Sequence, residues 1–239
     1  MSNSYFRFKR FTIHQDRCAM KVSTDAAVLG ALAEAHTPRR ILDIGTGTGV
    51  LALMLAQRYD QANVMAIEIE TEASDQALAN VSESPWSDRV QVKHGSFQEF
   101  CAEEPVKFDL IVSNPPYYTA HLASSDGKKN TALHQDSLSF FELARGVHAL
   151  LADDGAFWLI LPPRQMKEFE AVATDVGLWG MAKVRVYDRE GKPVLREVQS
   201  FSHRPNAGDI PVQTLLIKDV DGQYSLAYKT LLQAYFLHF

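Results

Sequence analysis

Only two cysteines, Cys18 and Cys101, occur in 239 residues, too few and too far apart for a disulfide framework or a thiolate metal site. The eight histidines show neither an H-E-x-x-H motif nor a paired ligand spacing, so the sequence offers no metal ligand set. No window approaches the roughly 18 apolar residues of a membrane span. The start, MSNSYFRFKRFTIHQDR, mixes charge and aromatics without the apolar core of a secretory signal. A cytoplasmic protein with no membrane or metal partner is therefore expected. Positive charge is scarce as well: the net charge is −5, unlike that of a chain coated in cations for general nucleic-acid binding. Repeats, low-complexity tracts and linkers are missing, and the length suits one sizeable α/β domain spanning 1–239.

What is present is unevenly placed. Residues 1–21 hold Arg7, Lys9, Arg10, Arg17 and Lys21 against Asp16 alone, and residues 183–204 hold Lys183, Arg185, Arg189, Lys192, Arg196 and Arg204 against three acids. Either cluster alone is equally the solvated face of ordinary structure; together they permit a surface that tracks phosphates. From residue 40, short apolar runs alternate with stretches of helical period, the signature of a parallel sheet with helices packed on it. RRILDIG, NVMAIEIE, RVQVKHG, FDLIVS and GAFWLILP read as successive strands. MAKVRVYD and EVQSFSHR, turning near Gly191, add an antiparallel ending, which makes seven strands. SLSFFELARGVHALL reads as a helix burying Phe140, Phe141, Ala144, Val147 and Leu151, and TLLIKDVDGQYS as a last hairpin before a closing helix. The first 38 residues or so form a leader expected to pack on this domain.

LDIGTGTG (42–49) joins the first strand to its helix, where open α/β sheets bind ligands outside the strands' carboxyl ends. Gly45, Gly47 and Gly49 allow a tight turn and close approach of a ligand. The spacing is not G-x-G-x-x-G, and no Lys-Ser/Thr pair follows, which excludes the dinucleotide and phosphate-loop patterns. Asp43 followed by G-x-G-x-G resembles instead the S-adenosylmethionine-dependent methyltransferases of the Rossmann-like class I. That resemblance implies a mostly parallel, twisted seven-stranded sheet with an antiparallel ending and helices on both faces.

Glu68 ends the second strand, where a carboxylate can accept both ribose hydroxyls of a nucleoside; Glu70 is the runner-up. In GSFQEF, methyltransferases commonly carry an acid for the adenine amine of the cofactor. Here Ser96 and Phe97 stand in that place, one to hydrogen-bond and one to stack, though Phe97 is equally a core residue. Asn114-Pro115-Pro116-Tyr117 follows the fourth strand and resembles the (D/N/S)-P-P-(Y/F) corner of enzymes that methylate planar amino nitrogens. The Asn114 side-chain oxygen and the Pro115 carbonyl can accept the two N–H groups, favouring a pyramidal nitrogen. The prolines fix both acceptors beforehand, and Tyr117 offers a face on which a flipped-out base stacks.

FKRFTIHQDRCAMKVSTDAAVLGALA, SPWSDRV, ALHQDSLSF and YSLAYKTLLQAYF together resemble the bacterial tRNA1(Val) adenine N6-methyltransferase family, over nearly the whole chain. The resemblance implies a tRNA partner modified at the adenine 3′ of the anticodon. It also implies that Thr24 and Asp25 help close over the cofactor, and that Phe8, Arg10 and Phe11 lie near RNA. From its own alternation of aromatics and cations, the leader including Arg7 and Lys9 is equally an RNA surface and an edge strand with Phe6, Phe8 and Phe11 partly buried. The rivals are a glutamine N5-methyltransferase acting on a release factor, which would carry a helical domain ahead of the glycine loop, and a DNA adenine methyltransferase, which would need a target-recognition region. A catalytically silent cofactor-binding subunit is a third, against which the intact Asn114 and Tyr117 weigh.

Overall fold

The computed structural model describes residues 3–18, 21–103, 105–116, 138–206 and 208–239. The chain begins with a two-stranded antiparallel hairpin, β1 (Tyr5–Arg7) and β2 (Thr12–His14), followed by α1 (Thr24–Leu32). An alternating series then runs β3 (Arg40–Ile44), α2 (Val50–Arg58), β4 (Asn63–Glu68), α3 (Thr71–Ser82), β5 (Val90–His94), α4 (Phe97–Glu103) and β6 (Phe108–Ser113). After it come α5 (Phe140–Leu150), β7 (Leu151–Leu161), α6 (Pro163–Asp175), β8 (Trp179–Tyr187), β9 (Val194–Ser202), β10 (Val212–Leu216) and α7 (Leu226–Leu232).

The large sheet has the order β10-β8-β9-β7-β6-β3-β4-β5. Strands β5, β4, β3, β6 and β7 are parallel, and β9 runs antiparallel to both β7 and β8. All seven expected strands are present, and β10 is an eighth. The expected closing hairpin is corrected: its first residues continue β10, which pairs in parallel with β8 from Val212–Lys183 to Leu216–Tyr187. The expected turn follows directly after it, with an antiparallel bridge between Lys218 and Tyr224 and backbone bonds from Asp219 to Gln223 and from Ser225 to Ile217. Pairing with β8 satisfies a whole row of backbone groups and buries Leu215, more than a free two-stranded ribbon can offer.

Each face of the sheet carries its own apolar layer. On one side α1, α2, α3, α7 and the hairpin pack on Ile41, Val64, Leu110, Val112 and Ile160. On the other, α4, α5 and α6 cover Leu42, Ile44, Ile67, Ile111 and Leu159. Alternation along β3 thus sends Ile41 to one layer and Leu42 and Ile44 to the other, as the period of two requires. Helix α5 starts with a reciprocal capping box between Ser139 and Glu142. It buries Leu143, Ala144, Val147 and Leu150, while Phe141, expected inside, is 53% exposed and Leu151 already belongs to β7. Ala144 and Val147 lie on the expected face, and Phe140 packs partly buried against it.

Candidate active site

Strand β3 has β4 on one side and β6 on the other. The chain therefore leaves β3 in one direction and returns on the opposite side, which opens a crevice at the carboxyl ends of β3 and β6. Into it projects the loop after β3. Gly45, Gly47 and Gly49 have φ of 71°, 57° and 82°, in the left-handed region that L side chains rarely adopt. A Cβ built on Gly45 or Gly47 meets nothing within 4 Å, so these glycines face open space that any side chain would enter.

Asp43 stands under this loop and is fully buried. Its Oδ2 accepts from the Thr46 hydroxyl at 2.5 Å and from the Ala52 N–H at 3.1 Å. Its Oδ1 has no partner among the described residues. Burial pushes its pKa up to about 7, with nearby Glu68 pushing the same way and the bonds from Thr46 and Ala52 opposing. An orphaned buried carboxylate oxygen beside an open glycine cradle fits a ligand that brings an ammonium and a nucleoside, as S-adenosylmethionine does. Thr46 was not singled out from the sequence, although its place inside G-T-G-T-G is the signal that could have found it.

Glu68 closes the next strand, 7% exposed. Its Oε2 accepts from the Gly47 N–H at 2.7 Å and its Oε1 from the Glu70 N–H at 3.0 Å. The carboxylate is thereby aimed at the glycine loop with lone pairs to spare for hydroxyls. Glu70, the alternative, is exposed and occupies the N-cap position of α3. The Ser96 hydroxyl donates to Glu99 Oε2 at 2.8 Å and accepts from the Glu99 N–H at 3.2 Å. These bonds cap α4 and hold the Glu99 carboxyl below its usual range. The Phe97 ring is buried in the layer between α4 and α5. Gly146 leaves room for it, since a Cβ there would clash with Phe97 Cε1.

The register pairs Ile44 with Ser113 at the ends of β3 and β6, so the glycine loop and the Asn114 corner leave the sheet from neighbouring strand ends. Ser113, buried, donates to the Ile44 carbonyl at 3.0 Å and locks the two strand ends together. It too escaped the sequence reading, hidden beside a more conspicuous motif. Asn114 and Pro115 are half-buried and Pro116 is exposed at the crevice mouth; Tyr117 lies outside the described residues. Asp25 sits at the start of α1 and pairs with Arg196 of β9 at 2.7 Å, and the Thr24 hydroxyl bonds to Tyr228. Both residues are thus anchored at the carboxyl edge of the sheet, on the β9 side.

Of the two readings of the leader's aromatics, Phe8 and Phe11 follow the buried one. Phe8, 1% exposed, stacks on Phe11 at 4.4 Å between centroids and meets Phe236 edge-on. Phe11 is buried against Trp86. Rings so enclosed cannot receive a base. Lys9 Nζ donates to the carbonyls of Gln233 and Phe239 and so caps the carboxyl-terminal turn. Arg7 and Arg10 remain exposed, Arg10 lying over the Trp86 ring. The second basic cluster is largely neutralised within the fold. Lys183 pairs with Glu170 and Glu197, Arg185 with Glu197, Arg189 with Asp188, Arg196 with Asp25 and Arg204 with Asp154.

Residues 18–168 match the family described as Methyltransferase small domain. A tRNA1(Val) (adenine(37)-N6)-methyltransferase from Bacteroides thetaiotaomicron is 41% identical over 239 residues, covering 100% of this chain and 99% of the relative. The chain belongs to this family. A protein of the same name from Dyadobacter fermentans is also 41% identical, with 99% of each chain covered. Among solved structures, a "predicted O-methyltransferase" from Agrobacterium tumefaciens superposes with a TM-score of 0.66 at 19% identity, over 88% of this chain and 96% of that one. TrmN from Thermus thermophilus gives 0.52 at 21% identity, over 74% and 47%. At such identities these two show the Rossmann-like fold alone. The chain is that of a methyltransferase, and the crevice between the glycine loop and Asn114 lies where the family's chemistry must be sought.

Proposed function

We propose that this protein transfers the methyl group of S-adenosylmethionine to the exocyclic N6 amine of adenine in tRNA, at the adenine 3′ of the anticodon in tRNA1(Val). The observation that supports the reading is the β3–β6 register, which brings the strand ends before Gly45 and Asn114 side by side. The names of the full-length relatives supply the substrate. Bound in the glycine loop, the cofactor brings an electrophilic methyl group. Asp43 would hold its ammonium and Glu68 its ribose hydroxyls, while the small loop residues would let it approach the backbone.

The protein's remaining task is to make a poor nucleophile reactive. The lone pair of an adenine amine is delocalised into the ring. Accepting its two N–H groups on the Asn114 side chain and the Pro115 carbonyl favours a pyramidal nitrogen with the lone pair freed toward the crevice. Since Pro115 and Pro116 restrict the chain, both acceptors are in place before the base arrives, so little reorganisation is needed during reaction. No strong base is required, because the nitrogen becomes acidic only as it gains its fourth substituent. RNA phosphates meet the exposed guanidinium groups of Arg7 and Arg10, and a cytoplasmic location follows from a tRNA substrate.

The test is transfer of label from S-adenosylmethionine to separate pools of tRNA, rRNA, DNA and release factor. Label in tRNA, lost when the adenine beside the anticodon is replaced by guanine, is the expected result. Label in the release factor alone would replace the adenine by a glutamine amide as the substrate.

A further inference from the structure

Helix α3 backs the glycine loop with two residues of one face. Ala77 lies behind Gly49, where an added Cβ would stand 3.5 Å from the Ala77 Cβ. Asn80 is three residues further and so on the same face. It is 1% exposed. Its Nδ2 donates to the Thr48 carbonyl in the glycine loop and to the His14 carbonyl in the hairpin, both at 2.9 Å, and its Oδ1 accepts the His14 N–H at 2.9 Å. Both amide donors and one acceptor site are therefore committed, each to a backbone group far away in sequence.

We propose that Asn80 is a positioning residue for cofactor binding, one that fixes the Thr48–Gly49 peptide of the glycine loop and joins that loop to the amino-terminal hairpin. This rests on the reading that the loop holds S-adenosylmethionine. A segment with three glycines at positive φ has many alternative backbone states. A loop that must be ordered when the ligand arrives loses part of its binding free energy to that ordering. The bond from Asn80 to the buried Thr48 carbonyl removes one such freedom before binding. Gln76, one turn earlier, bonds the leader instead: its Oε1 accepts the Arg17 N–H at 3.2 Å. It serves as the control.

Asn80→Asp keeps the shape and replaces the two-donor nitrogen by oxygen. Its KM for S-adenosylmethionine is expected to rise by about tenfold, as befits one or two hydrogen bonds at a buried group, with KM for tRNA within about twofold. Gln76→Ala should leave the cofactor KM within about twofold of wild type. A purely architectural role would lower the active fraction, and hence the apparent kcat, without moving either KM. An unchanged cofactor KM in Asn80→Asp, or an equal rise in Gln76→Ala, overturns the inference.

Hydrogen exchange on the wild-type protein tests it without any variant. Adding S-adenosylhomocysteine should slow exchange at the His14 amide together with the glycine-loop amides. Slowing in the loop with no change at His14 overturns the coupling. No response at either place removes the cofactor reading itself.

Discussion

In the crevice at the carboxyl ends of β3, β4 and β6, polar side chains are buried beside glycines that leave space in front of them. In the amino-terminal hairpin, aromatic side chains are buried against each other and a lysine is committed to carbonyl oxygens. Asp43 keeps an oxygen without a partner among the described residues, and Glu68 keeps spare lone pairs after bonding Gly47 and Glu70. Phe8 and Phe11 are enclosed by Phe236 and Trp86, and Lys9 caps the last turn. Buried polar capacity with room in front of it belongs to a binding site, since the fold alone would select against it. Buried apolar surface with every face covered belongs to the core, whatever its resemblance to a stacking platform.

The sharpest way to break this contrast is Phe8→Ala. If the hairpin is core, unfolding experiments should show a loss of about 3–5 kcal/mol, with tRNA affinity per folded molecule unchanged. Weakened RNA binding at full stability would return the leader to the substrate surface. For the same reason a truncation of residues 1–10 cannot test RNA binding cleanly, because it removes Phe8 from the core.

Asn114→Ala sharpens the other side. Losing one preorganised acceptor should reduce turnover on the order of 10²–10³-fold while cofactor affinity, measured by calorimetry, stays within about twofold. Retention of near-normal turnover would leave Asn114 as a turn residue.

Asp43 gives a pH signature. Its folded pKa of about 7 lies above the ordinary 3.8, so the folded protein binds a proton that the unfolded chain has already released. The associated stability is complete below about pH 4 and is lost as pH rises toward 7, at up to about 1.4 kcal/mol per pH unit. Thermal unfolding of the unliganded protein between pH 4 and 8 should show this decline, and Asp43→Asn should flatten it. Equal slopes in the two proteins would mean that the buried carboxyl is not the proton carrier.

The smallest effects are expected at the surface cations. Arg7→Ala and Arg10→Ala should each weaken tRNA binding a few-fold and reduce the slope of log K against log salt by about 0.7–0.9. Arg204→Ala, whose guanidinium is paired with Asp154, should leave that slope unchanged. A larger loss at Arg204 than at Arg7 would move the RNA surface to the antiparallel end of the sheet.

The sequence alone determined the strands from Arg40 to Ser202, the glycine loop and the Asn-Pro-Pro corner. These are local patterns: a period of two, a run of glycines at fixed spacing, and prolines at a strand end. Tertiary structure decided which residues with functional character remain available. Ser96 and Glu99 satisfy each other, Phe97 fills the space left by Gly146, and most of the cations of residues 183–204 find acids on α1, α6, β7, β9 and the turn after β8. The eighth strand and the Asn80 bonds were illegible for the same reason. Hydrogen bonds and ion pairs join groups that are adjacent in space but tens of residues apart in the chain, 32 and 66 in the case of Asn80. No periodicity records such a separation, because it is set by how the helices and strands pack.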